Sequence, residues 1–277
     1  MKRRKLFCEY GPVAYKIAVI KEAIRKDIQD ILLNQKIAKN KKNQNLKYIL
    51  KGDAKILLRK LEGVDMQLQK NKVTNLKIAA QKIDGVVVNP NEVFSFWNLV
   101  GNPTKSKGYL DGLMIGRGGK LSAGCGGGLC QLANLIHYLV LHTPMEVVEL
   151  HHHSDALFPD YKRRVPFGTG TSIAYKSVDY RFKNTLDYPI QLRVWLDDTM
   201  LYGEIRADKE LENKYKLVEE GHHYAKDETG TFYRNSKVYK IIINKETKSE
   251  IGKELVLENH SKVMYDYKLI PADEILE

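Results

Sequence analysis

Cysteine is scarce in this chain. Three thiols in 277 residues, Cys8, Cys125 and Cys130, exclude the dense disulfide framework that holds small secreted domains together. A Cys125–Cys130 bridge is sterically conceivable, but the spacing does not ask for one. Glycine and proline are also sparse, at 20 and 8, and no repeat or low-complexity tract stands out, which excludes fibrous and linker-like classes. Long apolar runs are missing. Nothing approaches the roughly 18 residues of a membrane span, and the most apolar stretch, Leu129 to Leu141, is interrupted by Gln131, Asn134 and His137. The start is positive, Met1-Lys2-Arg3-Arg4-Lys5, but Glu9, Lys16 and Lys21 break the apolar segment a signal peptide would need. A cytoplasmic location is expected on that ground.

Acidic residues are in deficit too, 34 against 45 Lys and Arg, for a formal net charge of +11. The surplus is local. Residues 1–51 hold 14 Lys and Arg against 4 Asp and Glu, so the remainder is nearly neutral. The plain reading is a solvated helical face. The alternative is peripheral contact with an anionic membrane through the basic N-terminus. Nucleic acid is disfavoured as a partner, because the basic residues lack interleaved aromatics and no recognition motif occurs.

What is present, 43% hydrophobic residues over this length, suffices for a substantial globular core. Ile17, Ile20, Ile24, Ile28 and Ile31 recur at helical steps and predict an amphipathic helix. Leu46 to Leu61 reads as a second helix. A third starts near Thr74 or Asn75, both good capping residues, and stops at Gly85, so the first 85 residues or so are expected to be helical. Val86 to Val88 and Glu92 to Trp97 read as strands, the latter with Phe94 and Phe96 on one side. Gly116 to Gly119 marks a hairpin turn between Gly112–Ile115 and Lys120-Leu121. A helix from Leu129 to about His142 and a strand from Met145 to His151 follow, and from Thr171 onward alternation predicts strands throughout, including 213–218, 231–244 and 254–258. The expected fold class is α+β: a basic helical region (1–74), a central mixed α/β core with a buried helix after a Gly-rich loop (75–210), and a C-terminal β-hairpin module (211–277).

The segment Gly124-Cys125-Gly126-Gly127-Gly128-Leu129-Cys130-Gln131 is the most informative. Consecutive glycines are entropically costly and make sense where backbone approaches something closely or takes positive φ. They lead into the apolar helix, so Cys130 falls in its first turn, where free N–H groups and the helix dipole favour a thiolate. The N–H groups of Gly126, Gly127 and Gly128 are candidate donors to an oxyanion, and the Gln131 amide is a candidate to assist. Downstream come His151, His152 and His153. Strand alternation puts His151 and His153 on one face, as base and orienter for a thiol nucleophile. Cys125, Cys130, His151 and His153 could instead bind metal, but C-x₄-C and H-x-H are not the usual zinc spacings. A solvated strand end and a buried structural cysteine remain the bland readings. Asp179 is a weaker candidate for orienting an imidazole, His137 reads as a hydrogen-bonded core residue, and His222 and His223 have no evident partners. No cofactor is implied.

These residues resemble the VanW family. The resemblance rests on Asn75-Leu76-Lys77-Ile78-Ala79-Ala80 with Asp84-Gly85, on Phe94-Ser95-Phe96-Trp97, and above all on Gly126-Gly127-Gly128-Leu129-Cys130-Gln131-Leu132-Ala133-Asn134-Leu135. It continues through Leu141-His142-Thr143-Pro144, Val148-Glu149, His151-x-His153-Ser154 and Leu196-Asp197-Asp198 to Ala207-Asp208-Lys209. It implies a link to glycopeptide resistance and cell-wall precursors. Exported relatives with a similar domain are associated with L,D-transpeptidation, which by carry-over makes Cys130 the nucleophile and His151 or His153 the base. Leu150 stands where the pattern has arginine after the glutamate, and Cys125 and His152 are not part of the pattern. The leading expectation is therefore a cysteine acyl-transfer or amide-hydrolysing enzyme acting on a peptidoglycan precursor or related peptide. The alternative is a non-catalytic accessory protein binding a cell-wall precursor or a membrane surface.

Overall fold

A computed structural model describes residue 7 and residues 10–32, 35–58, 65–115, 121–152, 155–156, 159 and 169–276; within 12–30 the side chains at 12, 15, 16, 19, 23, 27, 29 and 30 are outside the description. The chain opens with α1 (Pro12–Leu32), where Pro12 occupies the first helical position, for which its fixed φ is suited.

The described part of the expected Leu46–Leu61 helix, residues 46–58, is not helical. Tyr48–Ile56 forms strand β1, pairing antiparallel with β10 (Met200–Ala207) from Tyr48 opposite Ala207 to Ile56 opposite Met200. Leucines at 46, 50, 57 and 58 mimic helical spacing, but Gly52-Asp53 is a weak helical centre and pairing with β10 decides the matter. The expectation of 85 helical residues fails here. Helix α2 (Met66–Ile83) also begins earlier than Thr74, capped by Asp65, whose carboxylate accepts from the Gln67 N–H. Its inward face starts with Gln69, Lys72 and Asn75, so the apolar periodicity becomes visible only at Leu76.

Four antiparallel strands make the central sheet, in the order β1, β10, β9 (Ile190–Leu196), β2 (Val86–Val88). Helix α4 (Cys130–Leu141) lies on it, burying Leu132, Ala133, Leu135, Ile136, Leu139 and Val140. Gly203 of β10 allows the contact: a Cβ there would meet Leu139 Cδ1 at 2.9 Å and Leu135 Cδ2 at 3.1 Å. Full burial of these side chains contributes about 1.5–3 kcal/mol each.

Two smaller sheets complete this region. β3 (Val93–Ser95), β8 (Arg181–Lys183) and β6 (Glu146–Glu149) form one, with β8 in the middle. The strand expected up to Trp97 ends at Ser95, because the Ser95 hydroxyl accepts from the Asn98 N–H and starts the short helix α3 (Phe96–Val100); Phe94 and Phe96 are both buried. The other is the hairpin of β4 (Asp111–Ile115) and β5 (Leu121–Cys125), as expected, with its turn outside the described residues. The C-terminal sheet has the order β14 (Ile275–Leu276), β11 (Asn213–Lys226), β12 (Phe232–Asn244), β13 (Glu250–Val263), β7 (Asp155–Ala156). Through β7, which pairs parallel with β13 at Lys262 and Val263, this sheet is tied to the chain just past the histidine run. The α+β class holds.

Candidate functional site

The glycine run is built for close backbone approach. A Cβ on Gly127 would sit 2.2 Å from the carbonyl carbon and oxygen of Gly112, and one on Gly112 would sit 2.4 Å from Gly127 O. Gly126 and Gly128 have φ of +77° and +90°, which other residues rarely adopt. Asn75 locks the arrangement: its side-chain amide donates to Leu110 O at 3.0 Å and Gly127 O at 2.9 Å, and its oxygen accepts from the Leu110 N–H at 2.8 Å. The Gly126 and Gly127 N–H groups are spent on Leu110 O and Gly124 O. Among the described residues the candidate oxyanion donors therefore shift to the N–H groups of Gly128 and Leu129 at the head of α4, since Gln131 and Leu132 donate back to Gly128 and Leu129 and the Cys130 N–H faces its own sulfur. The Gln131 side chain does not face this region as an anion donor. Its amide donates to Ile56 O at 2.8 Å, fastening α4 to the end of β1.

Cys130 opens α4 and is a free thiol, as is Cys125. Burial pushes the Cys130 thiol above the usual cysteine value; backbone hydrogen bonds from Ile173 and Cys130 itself pull the other way without offsetting it. This direction runs against the expectation of a preformed thiolate, because burial disfavours the charged form. Burial likewise raises Cys125, whose thiol donates to Tyr109 O at 3.6 Å.

Cys130, Asn134 and His137 follow at i, i+4 and i+7 and share one face of α4. The segment 169–173 crosses that face. The Thr171 N–H donates to Asn134 Oδ1 at 2.6 Å, and Ile173 reaches the Cys130 sulfur through its backbone. The same segment receives the end of β6: the Ser172 N–H donates to His151 O at 2.7 Å, and His152 Nδ1 lies 3.1 Å from Gly170 O. His151 and His152 are thus linked to the thiol face of α4 through one intervening segment. The His151 ring is held aside by Glu149, 3.1 Å from Nε2 to Oε1, and is 44% exposed. His153 lies outside the described residues. His137, read from the sequence as a core residue, is one: it is fully buried, its Nδ1 is 3.2 Å from the Tyr180 hydroxyl, and burial, aided by the charge of His152, pushes its pKa down to about 3. Its Nε2 has no partner among the described residues.

A buried ionic network stands behind the histidines. Asp179 is 3% exposed. Its carboxylate accepts from Ser95 Oγ at 2.6 Å, Arg181 Nε at 2.8 Å, and the Trp97 and Tyr180 N–H groups at 3.1 and 2.9 Å. Among the described residues its hydrogen-bond partners are a guanidinium, a hydroxyl and two backbone N–H groups. Glu149 accepts from the Asp179 N–H at 3.0 Å, from His151 and from Lys26, and lies 3.5 Å from Arg181. Burial pushes Glu149 up, but Lys26, the Asp179 N–H and His151 together hold it below the usual carboxylate value. Asn134 and Arg181 were not singled out from the sequence. The i+4 step from Cys130 was a usable signal for Asn134; the Arg181 contacts depend on strands far apart in the chain. Among the described residues no three of His, Cys, Asp and Glu gather in a metal-binding arrangement, and the Cys₂His₂ set would need His153.

A family profile described as "VanW like protein" matches residues 71–206, from the middle of α2 to the end of β10. The chain is 35% identical over 203 residues to the vancomycin B-type resistance protein VanW of Enterococcus faecalis, covering 73% of each chain. The chain belongs to the VanW family. It is also similar to the uncharacterized protein YoaR of Bacillus subtilis, 34% identical over 124 residues, 45% of this chain and 39% of that protein. No solved structure matches. The profile match thus spans the glycine run, the thiol face of α4, the histidine run and the Asp179–Arg181 network, and ends before β11.

Proposed function

We propose that this VanW-family chain acts in glycopeptide resistance and cell-wall metabolism, and that Cys130 performs acyl transfer on a cytoplasmic peptidoglycan precursor or related peptide. The observation that supports this reading is the bridge from His151 O through Ser172 and Ile173 to the Cys130 sulfur, which joins the two parts of a Cys–His pair through one segment. Burial keeps the thiol protonated, so the proton must leave during attack. A histidine of the run takes the Cys130 proton as sulfur bonds to the carbonyl carbon. The oxyanion then collapses, the C–N bond breaks, and the leaving amine takes that proton. The resulting thioester is resolved by a second amine or by water, which returns a proton through the same imidazole and restores the thiol. N–H groups at the head of α4 are the donors left for the oxyanion.

The second reading, a non-catalytic accessory protein that binds a cell-wall precursor, draws on the raised thiol pKa and on the commitment of Gly126, Gly127 and Gln131 to internal bonds. Glycopeptide susceptibility of a strain that depends on the protein separates the two. Cys130→Ala and Cys130→Ser at wild-type abundance lose protection under the first reading and keep it under the second.

A further inference from the structure

Helix α1 is inside out. Ala14, Ala18, Glu22 and Lys26, at four-residue steps, form its half-buried face, and Lys26 pairs with Glu149 beneath it. The isoleucines point away. Ile17, Ile20, Ile24 and Ile28 are 50–54% exposed, and Ile31 is 78% exposed. Isolated apolar side chains on a surface need no explanation, whereas an unbroken apolar stripe about 20 Å long does. Lys21 and Arg25 are exposed beside the stripe, and Lys36, Lys39, Lys41 and Lys42 are exposed beyond the helix.

We propose that the isoleucine face of α1 is a docking surface for an anionic phospholipid membrane, with the helix lying in the plane of the headgroups. The charge favours this occupant: residues 1–51 carry 14 Lys and Arg against 4 Asp and Glu, and cations flanking an apolar stripe pair with lipid phosphates while the isoleucines enter the acyl boundary. The spacing disfavours a second copy of the helix. Residues 17, 24 and 31 are a heptad apart, and the other seam positions would be either 20 and 27 or 21 and 28, so a coiled-coil seam would carry Asp27 or Lys21 at its centre. No described helix is long and apolar enough to cross the bilayer, so the contact is peripheral. It does not depend on any chemistry at Cys130.

The test is co-sedimentation of the full chain with phosphatidylcholine vesicles and with vesicles containing about one-third phosphatidylglycerol, at low and at physiological salt. The expected result is binding to the anionic vesicles only, weakened by salt. Ile20→Glu with Ile24→Glu should reduce partitioning roughly tenfold or more while leaving the thermal midpoint unchanged, because both side chains are solvent-exposed. Lys21→Glu with Arg25→Glu, which leaves the apolar stripe intact, should weaken binding and flatten its salt dependence. Absence of wild-type binding to anionic vesicles, or binding indifferent to the isoleucine changes, overturns the proposal. So does a dimer in light scattering that the isoleucine changes dissociate without any vesicle binding, which would assign the stripe to self-association.

Discussion

Replacing Gly127 by alanine isolates the claim that the glycine run is a packed scaffold and not an open cradle. Gly127 does not have positive φ, so alanine incurs no left-handed backbone cost there. The cost is contact. The new Cβ would lie 2.2 Å from Gly112 C and O and 2.8 Å from Gly112 Cα, against an ordinary separation of about 3.5–4 Å. Those atoms are backbone of β4, fixed by pairing of Gly112 with Gly124, so relief requires β4 and the turn to separate by about 1 Å. Separation also strains the Asn75 bridge between Leu110 O and Gly127 O. Overpacking at about 1–3 kcal/mol, plus about 1 kcal/mol for a weakened buried hydrogen bond, gives roughly 3 kcal/mol of destabilisation. Urea unfolding measures this directly, and a thermal scan should show a fall of about 2–4 °C per kcal/mol for a chain of this size. Gly221→Ala is the control: φ is +61° with nothing within 4 Å, so only the backbone conformation opposes it, at about 1 kcal/mol. Equal, small effects at both positions would refute the close approach and return the run to the role of a ligand loop.

Other outcomes follow from the same geometry. Alkylation of Cys130 by iodoacetamide, followed against pH, should show an apparent pKa above the free-cysteine value of about 8.5, since burial raises it; a value near 6 or 7 would restore the preformed thiolate. Asp179→Ala removes the acceptor of the Ser95 hydroxyl and one carboxylate beside Arg181, which keeps Glu149 at 3.5 Å, and should cost about 2–3 kcal/mol, read by urea unfolding, whereas a loss under about 1 kcal/mol would mean that the network is not cohesive. His137 has a folded pKa of about 3 against about 6.5 unfolded. Because the unfolded state binds the proton first, the contribution of neutral His137 is fully present above pH 6.5. It falls by about 1.4 kcal/mol per unit as the pH drops toward 3, with His142, pushed down to about 4 by burial, adding in the same direction. Flat stability between pH 7 and 5 would contradict both assignments.

Much of the site was legible because it is local. The glycine run, Cys130 and α4 are contiguous, and the apolar residues of α4 declare a buried helix; the hairpin around Gly116–Gly119 is likewise a local signal. What failed depended on distant partners. Leu46–Leu61 carries helical spacing, yet β10, some 150 residues later, captures Tyr48–Ile56 as an edge strand. The start of α2 was hidden because its inward face uses Gln69, Lys72 and Asn75, polar residues buried by packing against the glycine turn. The surroundings of Cys130 include the Ile173 backbone, far along the chain, which nothing near Cys130 encodes. The isoleucine stripe was read correctly as one face of a helix, but spacing alone does not say whether that face turns inward or outward.

The central claim, that Cys130 is a nucleophile toward a peptidoglycan-related peptide, is tested most directly by intact-mass spectrometry of the protein quenched shortly after mixing with a peptidoglycan stem peptide. The account predicts a mass increase equal to the acyl fragment, mapped to Cys130, labile to hydroxylamine and absent from Cys130→Ala. A folded wild-type protein that binds the peptide and gains no adduct at any time would contradict it and leave the accessory-binding reading in its place.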